Sequence, residues 1–167
     1  MTATWHTPAT FTVGQLVTAT NLNEQLRDNL EFLKTPPTSL YNLNQASDYT
    51  TTSTSFVDVD ATNLSLTINT AGGDVLIVFL GFGAGAGRLY FDIAIDGVRM
   101  AGDDGFFSAV QNSNGPLTLV ALKQGLSAGS HTFKLQWKVN TGTGTLYAGA
   151  GTSGFDVHPQ FFVREVS

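Results

Sequence analysis

The stretch TFKLQWKV at residues 132–139 alternates strictly between polar and apolar side chains. A period of two indicates a β-strand with one face in a core and the other in solvent. The same period returns at residues 64–68 and 89–95. Trp137 lies on the apolar face of its stretch, so we expect it in the core rather than on the surface.

The run VLIVFL at residues 75–80 is apolar at every position. Such a run predicts either a central strand or a strand whose second face is covered by a partner chain. Asp96-Gly97 between two apolar runs predicts a tight hairpin. Further turn signals are Ala71-Gly72-Gly73, Asn114-Gly115-Pro116, Ala128-Gly129 and Gly142-Thr143-Gly144.

About eight to ten short strands at regular spacing predict an all-β fold, an antiparallel β-sandwich or jelly roll. No helical pattern interrupts the strands, which excludes a parallel α/β sheet. We place this sandwich domain at residues 38–167 and treat residues 1–37 as a separate arm and helix.

The N-terminal segment has apolar anchors in an extended, Thr-rich arm. A helix is predicted for residues 19–34, capped by Thr18 or Thr20 and stopped by Pro36-Pro37. Its leucines form one apolar stripe at helical spacing. The residues assigned to assembly and anchoring are Trp5, Phe11, Leu16, Leu22, Leu26, Leu30 and Leu33.

This helix is only about 25 Å long, and an isolated helix of that length is marginal in water. Its stripe must therefore pack on something. Two arrangements stay open: the chain's own sandwich, or a three-helix seam built by sister chains. In such a seam Asn29 would take a core position, where it would weaken the seam but fix its register.

Composition excludes several functional classes. Charged residues make up 13% of the chain and the net charge is −5, with no basic cluster, so we expect no nucleic-acid partner. The absence of cysteine excludes disulfides and thiol chemistry. No signal peptide is recognisable, and no apolar run approaches the roughly 20 residues of a membrane span, so we expect no membrane insertion.

Two motifs carry enzyme signatures without the context that those enzymes need. Residues 81–86 (GFGAGA) match G-x-G-x-x-A, but a strand follows where a dinucleotide site needs a helix. Residues 125–129 (GLSAG) match G-x-S-x-G, with Asp156 and His158 later in the chain. Ser127 is predicted in a turn before a strand, and a nucleophile elbow requires a helix there. A hydrolase that uses Ser127 is therefore the third interpretation, and we expect no enzyme and no cofactor.

Four carboxylates cluster in sequence at Asp92, Asp96, Asp103 and Asp104. A hard cation prefers such oxygen ligands, yet no EF-hand spacing is present. The three histidines lack the spacing of a zinc site. We therefore expect a loop tip and assign no metal ligands.

Aromatic side chains near loops are candidates for surface contacts. Phe106 and Phe107 are adjacent, so one of them must face away from the core of a simple strand. These two residues and Tyr147 are the candidate contact residues. The same residue types serve protein interfaces and sugar platforms, and we favour an interface.

The N-terminal segment resembles a recurrent opening of phage and prophage structural proteins. The likeness rests on Trp5, GQLVTATNLN at residues 14–23 and RDNL at residues 27–30. The second half, with LSAGSHTFKLQW at residues 126–137 and FFVREV at 161–166, looks like the jelly-roll domains of such proteins. It is also loosely similar to trimeric sandwiches of the TNF/C1q type.

This resemblance implies a non-enzymatic virion structural protein, a homotrimer held to other virion proteins by its arm. It implies a location on a virion that is assembled in the host bacterial cytoplasm. Two placements stay open, a capsid decoration protein or a small tail, neck or fibre component that takes part in host attachment. The alternative is a host-receptor or carbohydrate-binding tail module, with a host surface glycan as partner.

Overall fold

The computed structural model describes residues 4–42, 44–109 and 113–166. It is an antiparallel β-sandwich preceded by an extended arm and a helical segment, which confirms the predicted fold class. In those residues no helix is long and apolar enough to cross a membrane.

The helical segment follows the arm directly and has three consecutive parts. Helix α1 spans Ala19–Leu22, a π-helical turn spans Asn23–Asp28, and helix α2 spans Asn29–Lys34. Of the two candidate caps, Thr18 begins the helix: its hydroxyl accepts from the Asn21 backbone N–H, and the Asn21 side chain accepts from the Thr18 backbone N–H. This reciprocal capping satisfies two donors that the first turn would leave free.

Twelve strands form two six-stranded sheets. Sheet A contains β1 (Thr38–Asn42), β2 (Tyr49–Thr51), β5 (Gly73–Gly85), β9 (Ser113–Leu126), β11 (Gly144–Leu146) and β12 (Gln160–Glu165). Sheet B contains β3 (Val57–Asp58), β4 (Ser65–Thr70), β6 (Leu89–Ile95), β7 (Val98–Arg99), β8 (Phe107–Ala109) and β10 (Gly129–Val139).

Strand β5 organises sheet A. It pairs with β9 along one side, and with β12 and then β11 along the other, so it is central as its apolar sequence predicted. Strand β10 has the same role in sheet B, between β6 on one side and β3 and β4 on the other. The predicted turn at Asp96-Gly97 joins β6 to β7, with both residues at positive φ.

The core lies between the two sheets. Phe133, Leu135, Trp137 and Val139 of β10 are all buried, as their alternation predicted. They meet inward residues of sheet A such as Ile77, Phe79 and Phe161 in one cluster that runs from Val59 to Val163. The period of two thus decides which side chains enter the core.

Candidate functional site

The arm folds back along the helix and is held by two helical side chains, which are four residues apart in the sequence. Asn29 accepts a hydrogen bond from the His6 backbone N–H at 2.7 Å and donates to the His6 carbonyl at 2.9 Å. Gln25 accepts from the Ala9 N–H at 2.7 Å and donates to the Thr7 carbonyl at 3.3 Å. Each amide side chain pairs with one N–H and one carbonyl of the arm, as a neighbouring β-strand would, so these four backbone groups of the arm are satisfied.

Apolar packing closes the end of this arm–helix unit. The Trp5 ring lies 5.7 Å from the Phe32 ring, centroid to centroid. Within the helical residues 19–34, all of which the structure describes, Asn29 and Phe32 are the buried side chains. The face that the arm covers therefore carries Gln25, Asn29 and Phe32, and not the leucines.

The leucine stripe lies on a part of the helix surface that the arm does not cover. Leu22, Leu26, Leu30 and Leu33 are each about half exposed or more, from 49% to 63%. We call Leu22, Leu26 and Leu30, with Leu33 at the end nearest the sandwich, the leucine ridge. The chain's own sandwich does not cover these leucines, so the first of the two arrangements left open by the sequence is not what the structure shows.

The π-helical turn explains why Asn29 is not on this ridge. Bonding from i to i+5 puts more residues into a turn than the 3.6 of an α-helix. Residues spaced by four, such as Leu22, Leu26 and Leu30, then drift less around the axis and line up along it. The same unwinding turns Asn29 towards the arm, so the expected seam position for Asn29 is not what the structure shows.

The remaining predicted anchors lie on the surface of the arm. Phe11 is 40% exposed and Leu16 is 81% exposed. Their surroundings in the chain are polar, with Gln15 folding back on the Thr12 N–H at 3.0 Å. Together with the leucine ridge they leave the N-terminal segment with a large uncovered apolar surface.

The structure separates the three candidate surface aromatics. Phe106 is 45% exposed, whereas its neighbour Phe107 packs at the edge of the core, with its ring 6.3 Å from Phe91. Tyr147 stacks on Phe155 with centroids 4.8 Å apart, and Phe82 lies against both rings. The Tyr147 and Phe155 faces are directed at each other, so this trio is built more like packing than like an open sugar platform.

The turn before β10 brings a histidine to Ser127, but not the one that the sequence suggested. His131 Nε2 lies 3.5 Å from the Ser127 hydroxyl and 3.0 Å from the Ser127 carbonyl, while Nδ1 lies 2.7 Å from an Asp96 carboxylate oxygen. Asp156 instead accepts from the Gly151 N–H in its own loop. Asp156 and His158 are therefore replaced by Asp96 and His131 as the neighbours of Ser127.

This Ser–His–Asp contact has the wrong hydrogen bonds for a nucleophile. The hydrogen bond to the Asp96 carboxylate raises the pKa of His131, and the bond to the Ser127 carbonyl raises it further. A carbonyl oxygen only accepts, so Nε2 donates to it. A general base needs a free lone pair on that nitrogen to take the hydroxyl proton, and Nε2 has none. A strand follows Ser127 where an elbow needs a helix. The cluster ties two turns together.

The other enzyme-like motif is structural as well. The sequence favoured a hairpin or sheet-crossing loop at residues 81–86, but Gly81 to Gly85 continue strand β5, and the next element is strand β6. A Cβ at Gly83 would sit 2.6 Å from the Thr145 carbonyl and 2.7 Å from Leu117. The glycine there allows β11 and β9 to approach β5 closely.

The acidic cluster is occupied by the chain's own cations. Asp92 is fully buried and bonds Arg99 Nε at 2.7 Å, with the guanidinium 3.8 Å above the Phe56 ring. Asp104 bonds Lys138 at 2.9 Å. Among residues 4–42, 44–109 and 113–166 no three acidic or histidine side chains form a group suited to a metal ion.

Sequence reasoning missed Gln25 and Asn29 as the residues that dock the arm, and Glu165 as a buried clamp. Glu165 accepts from the Ala71 and Gly72 N–H groups at 3.0 Å. Two amide side chains four residues apart on an otherwise leucine-rich helix were a visible signal for the first pair. Nothing local marks Glu165, because its partners are more than 90 residues away.

No protein-family model and no curated protein matches this chain. Solved structures with a similar fold include the CBM36-1 domain of a multidomain xylanase from the hindgut metagenome of Trinervitermes trinervoides. It has a TM-score of 0.45 and 11% identity over 78% of this chain and 98% of that one.

Two structures of infectious bursal disease virus are also similar. The VP2 subviral particle has a TM-score of 0.38 and 10% identity over 78% of this chain and 37% of that one. The structure of the Gx strain has a TM-score of 0.36 and 14% identity, and the match covers 75% of this chain and 35% of that one. This chain thus spans about a third of the viral chains' length. At these scores and identities the likenesses assign no ligand or partner to this chain.

Proposed function

We propose that the chain is a non-catalytic structural protein of a phage virion, anchored by its N-terminal arm and helix as a homotrimer. The observation that carries the proposal is the leucine ridge. Its leucines are half exposed while the arm already occupies another part of the helix surface. Fully burying one leucine contributes about 1.5–3 kcal/mol, so leaving four uncovered favours association strongly.

The arm–helix unit is built to present this ridge. Its polar contacts with the arm fix one face of a helix that would otherwise be marginal, and the other face stays free for partners. The resemblance of residues 14–30 to the N-terminal segments of phage and prophage structural proteins supports a place on a virion. The leucine ridge supports the association of copies of the chain. Within that setting we propose a capsid decoration protein or a small tail component.

The test is the solution mass of the full chain beside a Leu26→Lys/Leu30→Lys variant. We expect a trimer for the wild type, because the ridges of three copies bury one another. The variant should be monomeric, since each lysine would carry a charge into the seam. The matched control is Thr20→Lys/Asn23→Lys, which adds the same charge at exposed positions of the same helix outside the ridge.

A wild-type chain that stays monomeric across the accessible concentration range would overturn the homotrimer. Incorporation into particles tests the anchoring. The double-lysine variant should be absent from purified virions, whereas the control should be present at wild-type level. Normal incorporation of the variant would show that the ridge does not anchor the protein.

The carbohydrate-binding alternative makes a different prediction. It requires binding of host glycans by the sandwich, with Tyr147 or Phe106 in contact with sugar. Tyr147→Ala would then abolish glycan binding and leave the oligomer unchanged. Glycan binding lost with Tyr147 in a monomeric protein would replace the structural role by a binding role.

A further inference from the structure

The two outer faces of the sandwich differ sharply in polarity. The outer face of sheet B carries the ion pairs Lys134–Asp58 at 2.8 Å and Lys138–Asp104 at 2.9 Å, and Arg99 covers the buried Asp92 there. Such a face suits contact with water.

The outer face of sheet A is apolar across four strands. The register places Leu40 opposite Phe162, Phe162 opposite Val78, and Val78 opposite Val120 in one continuous row. The neighbouring row pairs Leu76 with Leu122. Leu40, Val120 and Leu122 are 50%, 62% and 48% exposed, and Leu80 on β5 is 44% exposed.

We call this surface the apolar sheet face; it consists of Leu40, Leu76, Val78, Leu80, Val120, Leu122 and Phe162. Contiguous apolar patches on a soluble monomer seldom exceed a few hundred Å², and larger ones mark sites of protein contact. The run at residues 75–80 left two sequence interpretations open. The structure shows that β5 is central. Of its outward side chains Leu80 is exposed and Leu76 and Val78 are half-buried, so cover by a partner chain stays open.

The apolar sheet face is continuous with the leucine ridge. A cavity of about 310 Å³ is lined by Phe32, Leu33 and Pro36 from the end of the helix and by Leu76, Phe162 and Val166 from the sandwich. Leu33 therefore belongs to the ridge and borders the face. A partner that covers the ridge along its length reaches the lower edge of the face.

Charge indicates what kind of partner fits. The chain has a net charge of −5, so copies of it repel one another in general. The outward positions of β1, β5, β9 and β12 in the described residues carry one carboxylate, Asp74 at the beginning of β5, and one cation, Arg164 near the end of β12; the positions between them are uncharged. Interface cores are depleted of charge in the same way, and two such faces meet without like-charge repulsion.

We propose that the apolar sheet face is the second half of the homotypic interface, covered by a further copy of this chain in the oligomer that the leucine ridge builds. This inference rests on the proposed function for the oligomer itself. It adds that the sandwiches, and not only the helices, pack against one another. The polar face of sheet B then points outward from the assembly.

The test uses the absence of cysteine in the wild type. Val120→Cys places a thiol of nearly the same volume on the apolar sheet face, and Val98→Cys is the matched control on the β6–β7 turn of sheet B. The two valines are similarly exposed in the single chain, 62% and 71%. The readout is the alkylation rate of each thiol in the full-length protein, with the mass of each sample measured by light scattering.

In assembled protein we expect Cys at position 120 to react about tenfold or more slowly than Cys at position 98, because a covered thiol is inert. The difference should vanish in urea. Equal rates in a sample of oligomeric mass would overturn the inference and leave the proposed function intact. A monomeric mass for both variants and for the wild type would overturn the proposed oligomer, and the inference with it.

A second variant pair separates the two halves of the interface. Val120→Lys should weaken the oligomer, whereas Val98→Lys should leave its mass unchanged, and the near-UV circular dichroism of both should match the wild type. If Leu26→Lys/Leu30→Lys dissociates the oligomer and a folded Val120→Lys does not, the sheet face is not an interface. If Val120→Lys alone dissociates it, the sheet face is supported and the ridge is not.

Discussion

Two carboxylates in the interior illustrate how single residues fix this fold. Asp92 accepts from the Ile93 N–H at 2.7 Å and from the Ala101 N–H at 3.3 Å in addition to its bond with Arg99. Glu165 has the corresponding role at the Ala71–Gly72 turn. A buried carboxylate is tolerated when every oxygen has a donor, so both residues tie loops to sheets rather than serve chemistry.

Replacing Arg99 tests this role of Asp92. Arg99→Met keeps the apolar stem but leaves a fully buried carboxylate without its cation, which costs about 3–5 kcal/mol. Urea denaturation of the variant should show a clearly lower midpoint. The control is Lys134→Met, whose partner Asp58 is partly exposed and whose loss should cost less than about 1 kcal/mol. Equal effects would show that Asp92 does not need Arg99.

The His131–Asp96 pair makes stability depend on pH. The Asp96 carboxylate accepts hydrogen bonds from the Thr132 N–H and from His131, and both bonds lower the pKa of Asp96. The bond to Asp96 raises the pKa of His131. The stabilisation of the fold by charged His131 is complete below the ordinary pKa of 6.5, and it is lost as pH rises through the raised pKa of the folded state. The aspartate contribution is present above the ordinary 3.8 and is lost as pH falls.

The pair therefore stabilises the fold most between about pH 4 and pH 6.5. We expect His131→Gln to lower the free energy of unfolding in this window and to match the wild type more closely at pH 9. We expect a modest change in the free energy of unfolding, because the Asp96 side chain is half exposed. Chemical denaturation of both proteins at pH 5.5 and pH 9 measures the difference. A difference that is the same at both pH values would contradict the assignment.

At the scale of elements, the arm and the helix stabilise each other. The helix supplies Gln25 and Asn29 to the arm backbone, and the arm supplies Trp5 to Phe32. Neither would hold its shape alone, since the arm has no strand to pair with and the helix is short. Contacts that fix the helix before a partner binds would lower the entropic cost of the association that we propose.

Asn29→Ala tests this mutual support. Loss of two hydrogen bonds weakens arm docking by about 1–3 kcal/mol, so the arm detaches for part of the time. Acrylamide should then quench Trp5 more strongly, while Trp137, 2% exposed, stays unreachable. Asn23→Ala on the exposed part of the same helix is the control and should leave quenching unchanged. Identical quenching of the two variants would show that Asn29 does not hold the arm.

At the scale of the whole molecule, the core cluster contains no residue of the described N-terminal segment, residues 4–37. The cluster runs from Val59 to Val163, and Phe32 is the single buried apolar residue among residues 4–37. The Pro37 carbonyl accepts a backbone hydrogen bond from the Glu165 N–H of β12 at 3.0 Å. We therefore expect the sandwich to fold without the segment.

Deleting residues 1–37 should leave a folded sandwich. We expect near-UV circular dichroism and a buried Trp137 emission like those of the full chain, with a cooperative unfolding transition. The variant should no longer enter particles, because it lacks the ridge. Loss of cooperative unfolding would show that the helix is part of the domain, and normal entry into particles would contradict the anchoring role.

The sequence by itself determined the strands and the inward side chains, because alternation and turn residues are local properties. Residues 131–139, the Asp96-Gly97 turn and the helix stop at Pro36 were all predictable in this way. The leucine stripe was predictable as well. Its partner was not, since periodicity shows which side chains share a face and not what covers them.

Only the tertiary structure decided the long-range matters. The π-helical turn moved Asn29 from the leucine stripe to the arm, and the register of sheet A brought Leu40, Phe162, Val78 and Val120 into one row. Ser127 met His131 and Asp96 in place of His158 and Asp156. These findings depend on contacts between residues distant in sequence or on a small change of helical phase. The local pattern of polar and apolar residues encodes neither of these two causes.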